Sequence, residues 1–209
     1  MLSIHRYLED PCGVSSLPYW KLKEIVIPER MKIVHDRDYD ALMFPDDEDE
    51  PYFRLFHDLK TIGTRTAQDV EIISAPDEID EFEHLINASY HDLRVSADQL
   101  AHDQQRAVFR PELWVLMKEK ETGKVLAGGI AAYDGEAREL SLEWIQVLPP
   151  YRRRGYGQLI VNHLLQAMRG EARFATVSGK VNNPCCPEGL YRKCGFSGGD
   201  VWHILTKRQ

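Results

Sequence analysis

The stretch Val147-Leu148-Pro149-Pro150-Tyr151-Arg152-Arg153-Arg154-Gly155-Tyr156-Gly157-Gln158-Leu159 decides how this 209-residue chain reads. The apolar-rich run Leu140 to Leu148 leads into it and predicts a strand. Leu159, Ile160, His163, Leu164 and Ala167 follow at helical spacing and predict a helix over 157–168, ended at Gly170. Glycine between a strand and a helix lets the backbone approach a ligand closely. The first amides of the helix, at the positive end of its dipole, then form a site for phosphate oxygens. Three adjacent arginines add charge and fork-shaped donors. Two better-known phosphate motifs fail by counting. A dinucleotide fingerprint needs glycine where Ile160 stands, and a Walker loop needs Lys and Ser or Thr where Gln158 and Leu159 stand.

Working outward, the regular part of the chain starts at Val70. Val70 to Ile73 predicts a strand, and Ile79, Phe82, Leu85 and Ile86 recur at helical spacing through Tyr90. Ser96 caps a second short helix to Gln105. Leu113 to Glu119, Lys124 to Tyr133 and Leu140 to Leu148 predict three consecutive strands, the first two joined by the turn Glu121-Thr122-Gly123. Phe174 to Ser178 predicts another strand, Pro187 to Cys194 a short helix closed by Gly195, and Val201 to Thr206 a last strand. Strands that follow one another, with helices set between groups of them, indicate an α+β fold with a mostly antiparallel sheet.

With these elements placed, the chain resembles the GNAT superfamily of acetyl-CoA-dependent N-acetyltransferases. Its pyrophosphate signature, Gln/Arg-x-x-Gly-x-Gly/Ala, is read as Arg152-Arg153-Arg154-Gly155-Tyr156-Gly157, with the frequent Val-x-Pro lead-in as Val147-Leu148-Pro149. Gly189-Leu190-Tyr191-Arg192-Lys193-Cys194-Gly195-Phe196 looks like the family's C-terminal Leu-Tyr-x-Lys-x-Gly-Phe segment. The resemblance implies the acyl-CoA N-acyltransferase fold: a mixed, mostly antiparallel sheet with helices on both faces. Residues 69–209 would form the acetyltransferase domain and residues 1–68 an N-terminal extension. It also implies acetyl-CoA as co-substrate, held by the amides of Arg152, Arg153, Arg154, Gly155, Tyr156 and Gly157. Main chain at Ile145 and Val147 would pair with the pantetheine arm like an added strand, and the Val147 amide would face the thioester oxygen. Tyr191 matches the tyrosine that protonates the departing sulfur in many relatives. Where relatives carry Asn seven residues before that tyrosine and Ala four before it, Pro184 and Pro187 stand here. Asn182 and Asn183 lie slightly earlier, and Asn183 is carried forward as a coenzyme contact.

Attack of an amine on a thioester needs an acceptor for the amine's proton. Residues i, i+2 and i+4 of a strand share a face, so Glu143 and Ser141 are expected on the side of Ile145 and Val147. Glu143 is therefore the expected general base, directly or through water, at a place where the family often has an acid or a histidine. Cys185 and Cys186 adjoin the same C-terminal segment, but no histidine lies near them in sequence to activate a thiol, which argues against a covalent acyl-cysteine route. His163 and His203 take no assigned role, and no cluster suggests a metal.

Composition narrows the partners. Residues 1–110 carry 12 Lys+Arg against 23 Asp+Glu and residues 111–209 carry 14 against 10, so an anion site belongs in the C-terminal half. The net charge of -7 argues against nucleic-acid binding, which relies on neutralising phosphates. The longest apolar run, Val125 to Tyr133, is far short of the ~20 residues of a membrane helix. The first ten residues lack a signal-like apolar stretch and the four cysteines lack a disulfide or zinc spacing, a combination expected of a cytoplasmic protein. Glu24 to Ile27 and Met31 to His35 predict short strands, Pro45 to Pro51 an acidic solvated loop, and Pro51 to Leu59 is too short to decide between helix and strand. The N-terminal segment is open to three roles: a lid, a homodimer contact or an extra edge strand. The expected activity is acetyl transfer to a primary amine by direct attack in a ternary complex. Its acidic half would favour a cationic acceptor such as an aminoglycoside, a polyamine or a protein amine. The alternative is a non-catalytic acyl-CoA-binding regulatory module that has kept the pocket and lost the reaction.

Overall fold

In the computed structural model, which describes residues 2–90 and 93–208, the chain divides into two compact units. One is Asp58–Ala175; the other combines Met1–His57 with Thr176–Gln209. The elements run α1 (Ile4–Glu9), α2 (Tyr19–Glu24), β1 (Met31–His35), β2 (Asp47–His57), β3 (Val70–Ser74), α3 (Ile79–Asn87), α4 (Ala97–Asp103), β4 (Trp114–Glu119), β5 (Val125–Asp134), β6 (Glu139–Val147), α5 (Tyr156–Ala167), β7 (Phe174–Lys180), α6 (Pro187–Lys193) and β8 (Ser197–Lys207).

The unit Asp58–Ala175 is an antiparallel sheet in the order β3-β4-β5-β6. Two adjacent glycines in β5 decide how helices cover it. A β-carbon built on Gly128 would lie 2.7 Å from Leu85 Cδ2 of α3, and one on Gly129 would lie 2.6 Å from Ile160 Cγ2 of α5. Successive strand residues point to opposite faces, so α3 and α5 each press on the strand backbone from their own side. On the α3 side Phe82, Leu85, Ile86 and Leu100 pack with Trp114, Leu116 and Ile130 in one apolar cluster. The helix predicted to run through Tyr90 stops earlier, with Ala88 as its C-cap.

The other unit holds β1, β8, β2 and β7 in that order, with β8 antiparallel to β1 on one side and to β2 on the other. Of the roles open to the N-terminal segment, the edge strand is seen in β1, whereas β2 lies inside the sheet between β8 and β7. Two expectations are overturned here. The acidic run is not a solvated loop: Asp47 to Glu50 open β2, because pairing with β8 and neighbouring nitrogen groups hold them. Glu50 meets Lys180 at 2.7 Å, Asp47 lies 3.9 Å from Lys32, and Asp49 is 2.9 Å from His203 Nδ1. Residues 24–27 form no strand: Glu24 ends α2, and Val26 is 88% exposed, with no strand among the described residues paired to it.

At the centre of this unit Arg54 of β2 is buried, only 2% exposed. Its guanidinium donates to Tyr7 Oη of α1 at 2.9 Å, Ser178 Oγ at 3.2 Å, Pro11 O at 3.3 Å and Thr176 Oγ1 at 3.4 Å. A buried cation needs every donor matched, and each of these oxygens loses its partner if the side chain is cut back. Arg54→Ala is expected to destabilise this unit by about 3 kcal/mol and Tyr7→Phe by about 1 kcal/mol. Urea unfolding followed by tryptophan fluorescence measures both; a shift of a few tenths for Arg54→Ala would contradict this account.

Candidate active site

Within Asp58–Ala175 the end of β6 stays paired with β5, with the polar groups of alternate residues facing away from it. Leu148 N–H donates to Leu126 O at 3.0 Å, and antiparallel alternation then points the N–H and C=O of Val147, and of Ile145 two residues earlier, to the opposite side. The Val147 carbonyl accepts there from Arg152 Nε at 3.0 Å. Trp144 packs into the α3 cluster and Gln146 Nε2 donates to Tyr90 Oη at 3.2 Å, while Ile145 Cδ1 lies on the α5 side by Gly129.

Glu143 requires a correction to the alternation argument. Trp144 stands opposite Ile130 and Leu142 opposite Ala131, so Glu143 is the extra residue of a β-bulge with no single partner on β5. The two-residue period that would carry it onto the side of Ile145 and Val147 is interrupted at this residue. A bulge re-aims a side chain, and this one leaves the carboxylate half-buried, accepting from Ser141 Oγ at 2.9 Å.

The turn after β6 is built for close approach. Pro149–Tyr151 form a 3-10 turn, Arg153 has φ 65°, and Gly155, the N-cap of α5, has φ 89°. The Arg152 amide is spent on Pro149 O at 3.3 Å, and the Arg152 side chain also reaches Ser89 O at 3.4 Å. Its part in the predicted amide cradle is thereby reduced. The amides of Arg153 to Gly157 have no acceptor among the described residues. Arg153 is exposed with no ion pair among those residues, and Arg154 stacks its Cζ 5.3 Å from the Tyr151 ring centre, as Lys124 Nζ also does. Tyr156 is buried and donates its hydroxyl to Asp69 Oδ2 at 3.2 Å; burial and that carboxylate push the phenol above the ordinary tyrosine value. Arg65 meets the same turn and carries no sequence signal: a β-carbon built on Gly155 would sit 2.6 Å from its Cζ.

The remaining predicted residues belong to the other unit. Tyr191 is buried on α6, its ring 5.8 Å from Phe196 and 6.2 Å from Phe53. Asn183 Oδ1 accepts from Cys185 N–H at 2.8 Å, so its side chain shapes the loop into α6. Proline stands at the first position of that helix, where its missing N–H costs nothing, and Cys186 caps it at φ 49°. His163 lies on the exposed face of α5, and no group of three or more metal-ligating side chains occurs among the described residues.

The sequence pattern of the acetyltransferase (GNAT) family matches residues 79–196, more than half of the chain. The chain belongs to the GNAT acetyltransferase family. Members of this family use acyl-CoA. The fold is similar to a GCN5-related N-acetyltransferase from Sphaerobacter thermophilus, with TM-score 0.69 at 16% identity over 85% of this chain and 58% of that one. The ribosomal-protein-S18-alanine N-acetyltransferase from Escherichia coli gives TM-score 0.53 at 21% identity over 66% of this chain and 93% of that one. A tandem GNAT protein from the clavulanic acid biosynthesis pathway gives 0.60 at 13% over 84% and 62%. The chain thus spans less than two thirds of the Sphaerobacter and tandem proteins, and at these identities the likeness concerns fold alone. No curated protein sequence matches.

The four thiols divide by environment. Cys185 and Cys186 are exposed, whereas Cys12 and Cys194 are buried, and burial pushes the Cys194 thiol up to about 12. Thiolate is the reactive form, so a disulfide reagent at pH 8 is expected to titrate two thiols quickly and the other two only after unfolding. Fast reaction of Cys194 in the folded protein, read by peptide mass, would contradict the burial assigned to it.

Proposed function

We propose that the protein transfers an acetyl group from acetyl-CoA to a primary amine by direct attack in a ternary complex. The observation that carries this reading is the turn Arg153 to Gly157: amides at the start of α5 with no acceptor among the described residues, a glycine at positive φ, and guanidinium groups beside it that meet no carboxylate of those residues. That set suits a diphosphate, since amides and guanidinium groups are its two best kinds of donor and both are already in place. Acetyl-CoA, when bound there, supplies an acyl group activated as a thioester.

The chain's own groups supply the rest. The main-chain polar groups of Ile145 and Val147, facing away from β5, are suited to pair with an extended amide-bearing arm. The Val147 N–H is the donor nominated for the carbonyl oxygen as charge gathers on it. Glu143 takes the amine's proton, and the Ser141 hydroxyl holds one of its oxygens in place. Tyr191 returns a proton to the leaving sulfur.

A primary amine acceptor is in keeping with the alanine substrate in the name of the Escherichia coli relative, and the chain's acidic N-terminal half favours a cationic one. Free-thiol release against a panel of amines tests the activity, and coenzyme binding without release on any amine would leave a binding module instead. Glu143→Gln is expected to lower kcat by about a hundredfold with coenzyme affinity unchanged, and Tyr191→Phe to lower the maximal rate. Wild-type rates in both variants would remove these two roles and leave the coenzyme site standing.

A further inference from the structure

The turn at the start of α5 is also approached from residues that precede β3, outside the family match. Residues 58–69 run along α5 with Leu59 and Ile62 buried. A β-carbon built on Gly63 would lie 2.7 Å from Asn162 Nδ2. Beyond Arg65 the segment is fastened again: Lys120 Nζ donates to Gln68 O at 2.9 Å, Lys120 N–H to Asp69 O at 3.0 Å, and Tyr156 Oη to Asp69 Oδ2 at 3.2 Å. Arg65 is therefore carried by a strap pinned on both sides, which brings its guanidinium against Gly155.

Arg65 is exposed, and its charge is added to a turn that is already positive. The helix start is the positive end of its dipole, and Arg153 and Arg154 stand in the same turn. Among the described residues Arg65 has one hydrogen bond, a long one of 3.4 Å to Gln158 Oε1, and no ion pair. The Asp69 carboxylate of the strap is engaged by the Tyr156 hydroxyl. We propose that Arg65 is a coenzyme ligand whose guanidinium, held beside Gly155, joins the turn's amides in binding the diphosphate. This rests on the coenzyme reading above and adds to it a residue outside the matched segment.

Titration calorimetry of CoA and of 3′-dephospho-CoA with the wild type, Arg65→Gln and Arg65→Lys tests the proposal. Loss of one charge-assisted contact is expected to weaken both ligands roughly tenfold in Arg65→Gln, with partial recovery in Arg65→Lys and no change in the thermal midpoint of the unliganded protein. Unchanged affinity in Arg65→Gln while the wild type binds CoA would overturn the role of Arg65 alone. Loss confined to CoA would overturn the diphosphate assignment in favour of the 3′-phosphate. A lowered unliganded midpoint, with Arg65→Lys as weak as Arg65→Gln, would mark a structural role and overturn it too. A wild type without affinity for CoA would bring down the coenzyme reading itself.

Discussion

Positive charge gathers at the start of α5, and no carboxylate of the described residues pairs with Arg65, Arg153 or Arg154. The amides of Arg153 to Gly157, without acceptors among those residues, lie in the same turn. A protein interior normally satisfies such groups internally, because a donor with no partner and a cation with no counter-charge both cost free energy. Here the cost is tolerable because the turn is partly exposed to water, and it becomes a gain once an anion arrives. Around that constraint the local architecture is arranged: the bulged strand ahead of it, the glycine pair that seats α5 against the sheet, and the strap that carries Arg65.

The part of the fold legible in the sequence is the part governed by short-range signals. From Trp114 to Ala167, alternation, helical spacing and turn glycines act within a dozen residues of each other, and the elements fall within a few residues of their expected limits. The acidic stretch Asp47 to Glu50 misled because carboxylates in a row favour solvent when considered alone. Their strand is imposed by β8, some 155 residues away, through His203 and ladder pairing. Arg54 was unreadable for a similar reason, since its acceptors come from α1, the loop after it and β7.

The candidate site shows the same division. Gly155 was legible because only a residue tolerant of positive φ suits that cap. Glu143 was named from a strict two-residue period, and the bulge that singles it out lies in the β5 register, which no local pattern encodes. Arg65 stood in a polar stretch without periodicity; only the packing of the strap on α5 gives it a position.

The placing of β2 between β8 and β7 has a consequence for the order in which the molecule is made. Asp58–Ala175 is continuous in sequence, so all of its partners have emerged once that stretch leaves the ribosome. β1 and β2, synthesised earlier, must wait for β8 before their ladders can close, and loop-closure entropy makes that a late and slow step. During translation the first strands therefore stay unpaired while the later ones assemble, and their run of acidic side chains keeps that waiting segment solvated and less prone to stick to neighbouring chains.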